Sequence, residues 1–149
     1  MASGGGVRAV TETDDLVFFD TSIWVRYLRP RGAEMLKVAA REAIEQDRVA
    51  MCAVVRTELL IGARDPAAYA LLIELLAGVR DVPISEDVWT EATRLGFEMR
   101  KQGVLIPLPD LLIAVSAIRS GRVLWHVDAG YERIRHLSSL RTRHWQIDD

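Results

Sequence analysis

Short apolar runs alternate with longer stretches in which apolar residues recur every three or four positions. The runs are Leu16-Val17-Phe18-Phe19, Val49 to Ala53, Val79 to Ile84 and Val123 to Val127. Each has strand length, and each of the first three is followed by a helical pattern. Asp20-Thr21-Ser22 opens a helix through Trp24, Val25 and Leu28, which stops near Pro30 and Gly32. Met35, Leu36, Ala39, Ala40, Ala43 and Ile44 mark the next helix, and Val54 to Ile61 another. Asp65-Pro66 supplies a cap and a first-turn proline for a helix whose apolar face is Leu71, Leu72, Leu75 and Leu76, closed by Gly78. Pro83 marks the run at 79–84 as an edge strand. Ser85 caps a long helix ending at Gly103. Pro109 opens the helix Asp110 to Ser120, which is apolar nearly all round and therefore buried. Leu140 to Trp145 reads as a last edge strand. The alternation predicts an α/β domain of three layers, α/β/α, with a central, mainly parallel sheet.

Composition narrows this picture. The chain has 149 residues, half of them hydrophobic and 27% charged, with a net charge of -2. That suits one globular domain over residues 16–145, flanked by a loose tail at 1–15 and a short one at 146–149. No global positive field is available to attract nucleic acid. The start of the chain lacks the apolar stretch of a signal peptide, and no segment approaches the ~20 apolar residues that span a bilayer. The single cysteine, Cys52, lies in an apolar run and reads as a small buried hydrophobe. The expectation is a protein of a reducing compartment, without a membrane segment.

Four acids carry the candidate chemistry: Asp20, Glu58, Asp110 and Asp128. Each follows an apolar run or stands in the first turns of a helix, and in a parallel sheet those places share one edge. Lengths support this for two of them. A helix over 110–120 covers about 16 Å and a strand over 123–127 about the same, so the chain descends from Asp110 and climbs back to Asp128. Each acid alone has a plainer explanation, as an N-cap, a solvated helix residue, a first-turn acid or a turn residue. Together they share one cause. Two carboxylates about 4 Å apart repel by roughly 4 kcal/mol at an effective dielectric of about 20, so a fold that gathers four invites a divalent cation. Oxygen ligands suit Mg²⁺ or Mn²⁺. His126, His136 and His144 make no zinc motif, and His126 reads as structural or peripheral. The chain also lacks a phosphate-binding Gly-rich loop and a Gly-x-Ser-x-Gly elbow, which leaves metal-assisted phosphodiester hydrolysis.

Four segments, in order and spacing, resemble the motifs of PIN-domain ribonucleases, above all the VapC-type toxins of bacterial VapBC toxin–antitoxin systems. They are Phe19-Asp20-Thr21-Ser22, Arg56 to Gly62, Pro109 to Ala114 and Val127 to Tyr131. The resemblance covers about residues 16–145. It implies a PIN fold and a cytoplasmic, Mg²⁺- or Mn²⁺-dependent endoribonuclease. Asp20, Glu58, Asp110 and Asp128 become its catalytic and metal-binding acids, with Asp20 and Asp110 the principal ligands and Thr21 or Ser22 bracing them. It also implies a cognate VapB-type antitoxin, an RNA substrate and a homodimer. Many relatives carry Thr or Ser where this chain has His126. Arg133 and Arg135 are candidates for touching RNA phosphates, and Tyr131 fits the family's aromatic position as a core residue. A non-catalytic module that binds a protein through the acidic pocket, or a nuclease acting on DNA, stays open.

Overall fold

The computed structural model describes residues 15–147; the expected tail at 1–15 therefore lies, but for Asp15, outside the described residues. The elements run β1 (Val17–Phe19), α1 (Thr21–Leu28), α2 (Glu34–Glu45), β2 (Val49–Met51), α3 (Ala53–Ile61), α4 (Pro66–Ala77), β3 (Arg80–Asp81), α5 (Glu86–Lys101), α6 (Leu108–Arg119), β4 (Val123–His126), α7 (Ala129–His136) and β5 (Thr142–His144). The sheet order is β3-β2-β1-β4-β5, and every pairing is parallel.

That order fixes the layers. From β1 the chain steps outward through β2 to β3, then crosses back to β4 and continues to β5. Right-handed crossovers therefore put α1–α4 on one face and α5–α7 on the other. The packing agrees: α1 touches α2 and α3, α3 touches α4, α6 touches α5 and α7, and the two groups meet where α3 reaches α6. The direction of progression reverses between β1 and β4. A crevice opens there at the carboxyl ends of the strands, where ligands bind in folds of this kind.

The core is aromatic at its centre. Phe19 stacks on Trp125 with ring centroids 5.0 Å apart and meets Trp24 edge-on at 5.3 Å; all three are buried. In α6, residues Leu111 to Ala117 are all buried, as an all-round apolar helix must be.

The other end of the sheet is pinned by arginines. Arg48, Arg122 and Arg141 each stand one residue before a strand. The Arg122 guanidinium donates to the carbonyls of Val17 and Arg48 at 3.3 and 2.9 Å. Arg48 donates to the Asp15 carbonyl at 2.7 Å, and Arg141 to that of Gly121 at 2.8 Å.

The sequence reading had no helix after Asp128, where the structure has α7, and the structure departs from it in three further places. α6 begins at Leu108 rather than Asp110, because Pro107 is the cap and Pro109 sits in the first turn, where its missing N–H costs nothing. β3 has only two residues, at the edge that Pro83 foretold. In α4 only Leu76 is buried, while Leu71 and Leu75 stand exposed beside Tyr69 and Ile73. A helix apolar on all sides does not reveal which side faces in. Among the described residues no helix is long and apolar enough to cross a membrane.

Candidate active site

The four acids come from four different helices, three of them at the N-terminus and Glu58 past the middle of its own. Asp20 follows β1 and caps α1; Asp128 follows β4 and caps α7. The Asp20 main-chain N–H donates to the Trp125 carbonyl at 3.1 Å, which ties these two strand exits together. Asp110 is the third residue of α6, and Glu58 lies in α3, which packs against both α1 and α6. Burial grades across the group. Asp20 is 4% exposed and forms the floor, Asp110 is half-buried, and Glu58 and Asp128 stand exposed at the rim.

Each carboxylate is braced on one oxygen. Asp20 Oδ1 accepts from the Ser22 hydroxyl at 2.5 Å and from the Ile23 N–H at 3.1 Å. Glu58 Oε1 accepts from the Thr21 hydroxyl at 2.6 Å. Asp110 Oδ1 accepts from the Tyr131 hydroxyl at 3.3 Å, and Asp128 Oδ1 from the Gly130 N–H at 2.9 Å. The second oxygen of each has no donor among the described residues. The N-cap explanation of Asp20 is thus correct, and Asp128, read from sequence as a turn residue, is a cap as well; in both, capping engages only one oxygen. Thr21 and Ser22 both act as braces.

Electrostatics shows what the arrangement lacks. Burial pushes the Asp20 carboxyl up to about 7, against the bonds from Ser22 and Ile23, and the charges of Asp110 and Asp128 push the same way. Burial also raises Asp110; Asp128 and Glu58 add to this and the Tyr131 hydroxyl opposes it. Tyr131 itself is pushed far up by burial and by Asp20 and Asp110, so its hydroxyl stays protonated and can only donate here. A cation reverses the sign of every one of these repulsions. Four bare carboxylate oxygens form a hard donor set that suits Mg²⁺ or Mn²⁺.

A second polar cluster lies beside the first. Among the described residues, His126, Glu132 and His144 hold ligand-type atoms all within 4.8 Å of one another; no trio of the four acids is that tight. Sequence spacing hid this group, which draws on β4, α7 and β5; His136 takes no part. Two of its members, His126 and Glu132, are engaged in hydrogen bonds. His126 Nδ1 accepts from the Asp128 N–H at 3.1 Å, so the ring proton of the neutral form is on Nε2, 2.7 Å from Glu132 Oε2. Thr142 donates to the same oxygen at 2.7 Å and Arg135 to Oε1 at 2.9 Å. Both Glu132 oxygens are spoken for.

Of the two candidate RNA contacts, Arg135 is therefore engaged by Glu132, whereas exposed Arg133 reaches back over Gly130, next to Asp128. The residues missed from sequence are the Tyr131 hydroxyl and Glu132. One signal was available for Tyr131. It lies three positions after the capping Asp128, and side chains at that spacing lean back over the helix start.

Comparison with known proteins identifies the family and the fold. Residues 17–137 match the PIN domain family. The chain is 30% identical to Ribonuclease VapC18 of Mycobacterium tuberculosis over 127 residues, covering 83% of this chain and 90% of the relative. Two solved structures share the fold. VapBC-1 from nontypeable Haemophilus influenzae superposes with a TM-score of 0.72 at 22% identity, covering 87% of this chain and 97% of that one. VapBC-5 of Mycobacterium tuberculosis, a member of the VapBC family of toxin-antitoxin systems, gives 0.63 at 21% identity, over 87% and 98%. Sequence match, sheet order and acid placement lead to one conclusion: the chain belongs to the PIN-domain family and, within it, to the VapC group.

Proposed function

We propose that this protein is a Mg²⁺- or Mn²⁺-dependent endoribonuclease and the toxin half of a type II toxin–antitoxin pair, held in check by a VapB-type antitoxin. One observation carries the catalytic part. The charges of Asp110 and Asp128 act on Asp20, and those of Asp128 and Glu58 on Asp110, so the four acids are near enough to feel one another, and each has one oxygen braced and, among the described residues, one without a donor. The name of the ribonuclease relative supports RNA as substrate, and the toxin–antitoxin neighbour supports the partner.

In this reading Asp20 and Asp110 are the principal ligands, and Glu58 and Asp128 complete the set. Held by these acids, a divalent ion would supply a water of lowered pKa and positive charge to offset that on the phosphate and the leaving oxygen. The chain's own part is placement. Ser22 and the start of α1 hold Asp20, Thr21 holds Glu58, Tyr131 holds Asp110, and the Gly130 N–H holds Asp128. Arg133 at the rim takes a neighbouring phosphate, a contact that positions the strand without reading its sequence; Arg135 adds less. The exposed apolar side of α4 is the kind of surface that a protein partner or a second copy covers. The protein works in the cytoplasm, where its RNA is.

The test is cleavage of matched RNA and DNA strands with Mn²⁺ or with a chelator. RNA cut only in the presence of the ion is the expected result. Cleavage that persists in chelator removes the metal role, and a preference for DNA removes the substrate.

A further inference from the structure

His126 closes β4 with no exposed surface. Both its ring nitrogens have fixed partners. The lone pair of Nδ1 receives the Asp128 main-chain N–H, and Nε2 gives its proton to Glu132. Glu132 is held from two further directions, by Thr142 of β5 and by Arg135 of its own helix. The ring plane is clamped as well. It stacks on His144 with centroids 4.6 Å apart and contacts the Tyr131 ring at 5.0 Å. Tyr131 is the residue whose hydroxyl braces Asp110. One buried ring thus touches the supports of two acids, from behind the site and without facing it.

We infer that His126 is a positioning residue for the acid site: its Nδ1 fixes the main chain of Asp128, its ring holds Tyr131 against Asp110, and Glu132 sets the tautomer that makes this possible. The tautomer matters because a proton on Nδ1 would oppose the Asp128 N–H, donor against donor, and push the fourth acid away from the others. Partners one step removed from a metal typically alter its affinity about 10–100-fold when lost. The inference rests on the reading of the acids as a divalent-ion site.

Two substitutions separate the two nitrogens. His126→Asn places an amide where Nδ1 stands and keeps an acceptor for the Asp128 N–H. His126→Gln places its amide where Nε2 stands, keeps a partner for Glu132, and offers Asp128 nothing. Mn²⁺ affinity of the full chain is read by calorimetry, alongside the melting temperature in chelator and kcat and KM on RNA. The expected result is near-parental Mn²⁺ binding for His126→Asn. For His126→Gln we expect binding about 10–100-fold weaker, with kcat falling more than KM rises. Equal losses in the two variants, or a lowered melting temperature with Mn²⁺ affinity intact, overturn the inference.

If His126→Gln does not fold, Glu132→Ala at a half-exposed position takes its place, with weaker Mn²⁺ binding expected and unchanged binding overturning the inference. Long-range proton–nitrogen NMR of the metal-free protein gives an independent readout. His126 protonated on Nε2 with a bare Nδ1 supports the inference, and a proton on Nδ1 overturns it. A parent chain that binds no Mn²⁺ sinks the functional reading instead, while the metal-free spectrum still decides the part played by the histidine.

Discussion

The two ends of the sheet handle charge in opposite ways. At the entrance to the strands, Arg48, Arg122 and Arg141 give their N–H groups to main-chain carbonyls, and the charge is used up in holding the strands in place. At the exit, Asp20, Asp110, Glu58 and Asp128 each accept on one oxygen, and among the described residues the other has no donor. The first end is complete as folded. The second is left with unspent repulsion, which a ligand resolves. A satisfied polar group stabilises the fold, whereas an incompletely satisfied one at a crevice marks the place of work.

The largest expected effect comes from the acid end. Asp110→Asn removes a charge but keeps the acceptor for Tyr131, and should cut RNA cleavage on the order of 10²-fold or more, the usual cost of losing one electrostatic stabiliser. Its melting temperature in chelator should not fall. Parental cleavage by this variant breaks the contrast between the two ends. The matching change at the other end is Arg122→Met, which strips donors from the Val17 and Arg48 carbonyls. Here denaturant unfolding should show a loss of about 1–3 kcal/mol, with cleavage per folded molecule unchanged.

pH sharpens the same comparison. Asp20 in the folded chain titrates at about 7 against an ordinary 3.8, so across that window the unfolded state has lost a proton that the folded state keeps. Folded stability in chelator therefore falls as pH rises from near 4 to near 7, and Asp20→Asn should flatten the fall. Added Mn²⁺ should oppose it. A melting temperature that instead climbs through this window in parent, but not in Asp20→Asn, refutes the assignment. Glu132 behaves in reverse. Burial pushes it up, but the bonds from Thr142, His126 and Arg135 prevail and hold it down to about 2. Its contribution is present above its ordinary 4.5 and is lost as pH falls toward 2, a loss that Glu132→Gln should remove. The smallest effect is expected on the exposed side of α4. Leu71→Glu should change stability by no more than about 0.5 kcal/mol, read by denaturant unfolding.

Much of this was legible in the chain itself. Asp20 could be placed because it leaves a strand at its exit, and Asp110 and Asp128 because the helix and the strand between them match in length. Glu58 followed from its place in the helix after β2. The His126–Glu132–Thr142 cluster was not legible, since its members gather only once β5 has paired with β4. The Tyr131 hydroxyl was hidden for a related reason: an aromatic residue in an apolar setting looks the same in sequence whether or not its tip reaches a carboxylate. The exposed leucines of α4 show the limit of periodicity, which reports that a helix is apolar without saying what covers it.

The buried length of α6 has a further consequence. Gly96 of α5 lies so close to Leu111 that a Cβ there would stand 2.8 Å from Leu111 Cδ1. The missing side chain at position 96 makes room for Leu111, the residue next to Asp110, and anything larger than glycine there has to move that leucine first.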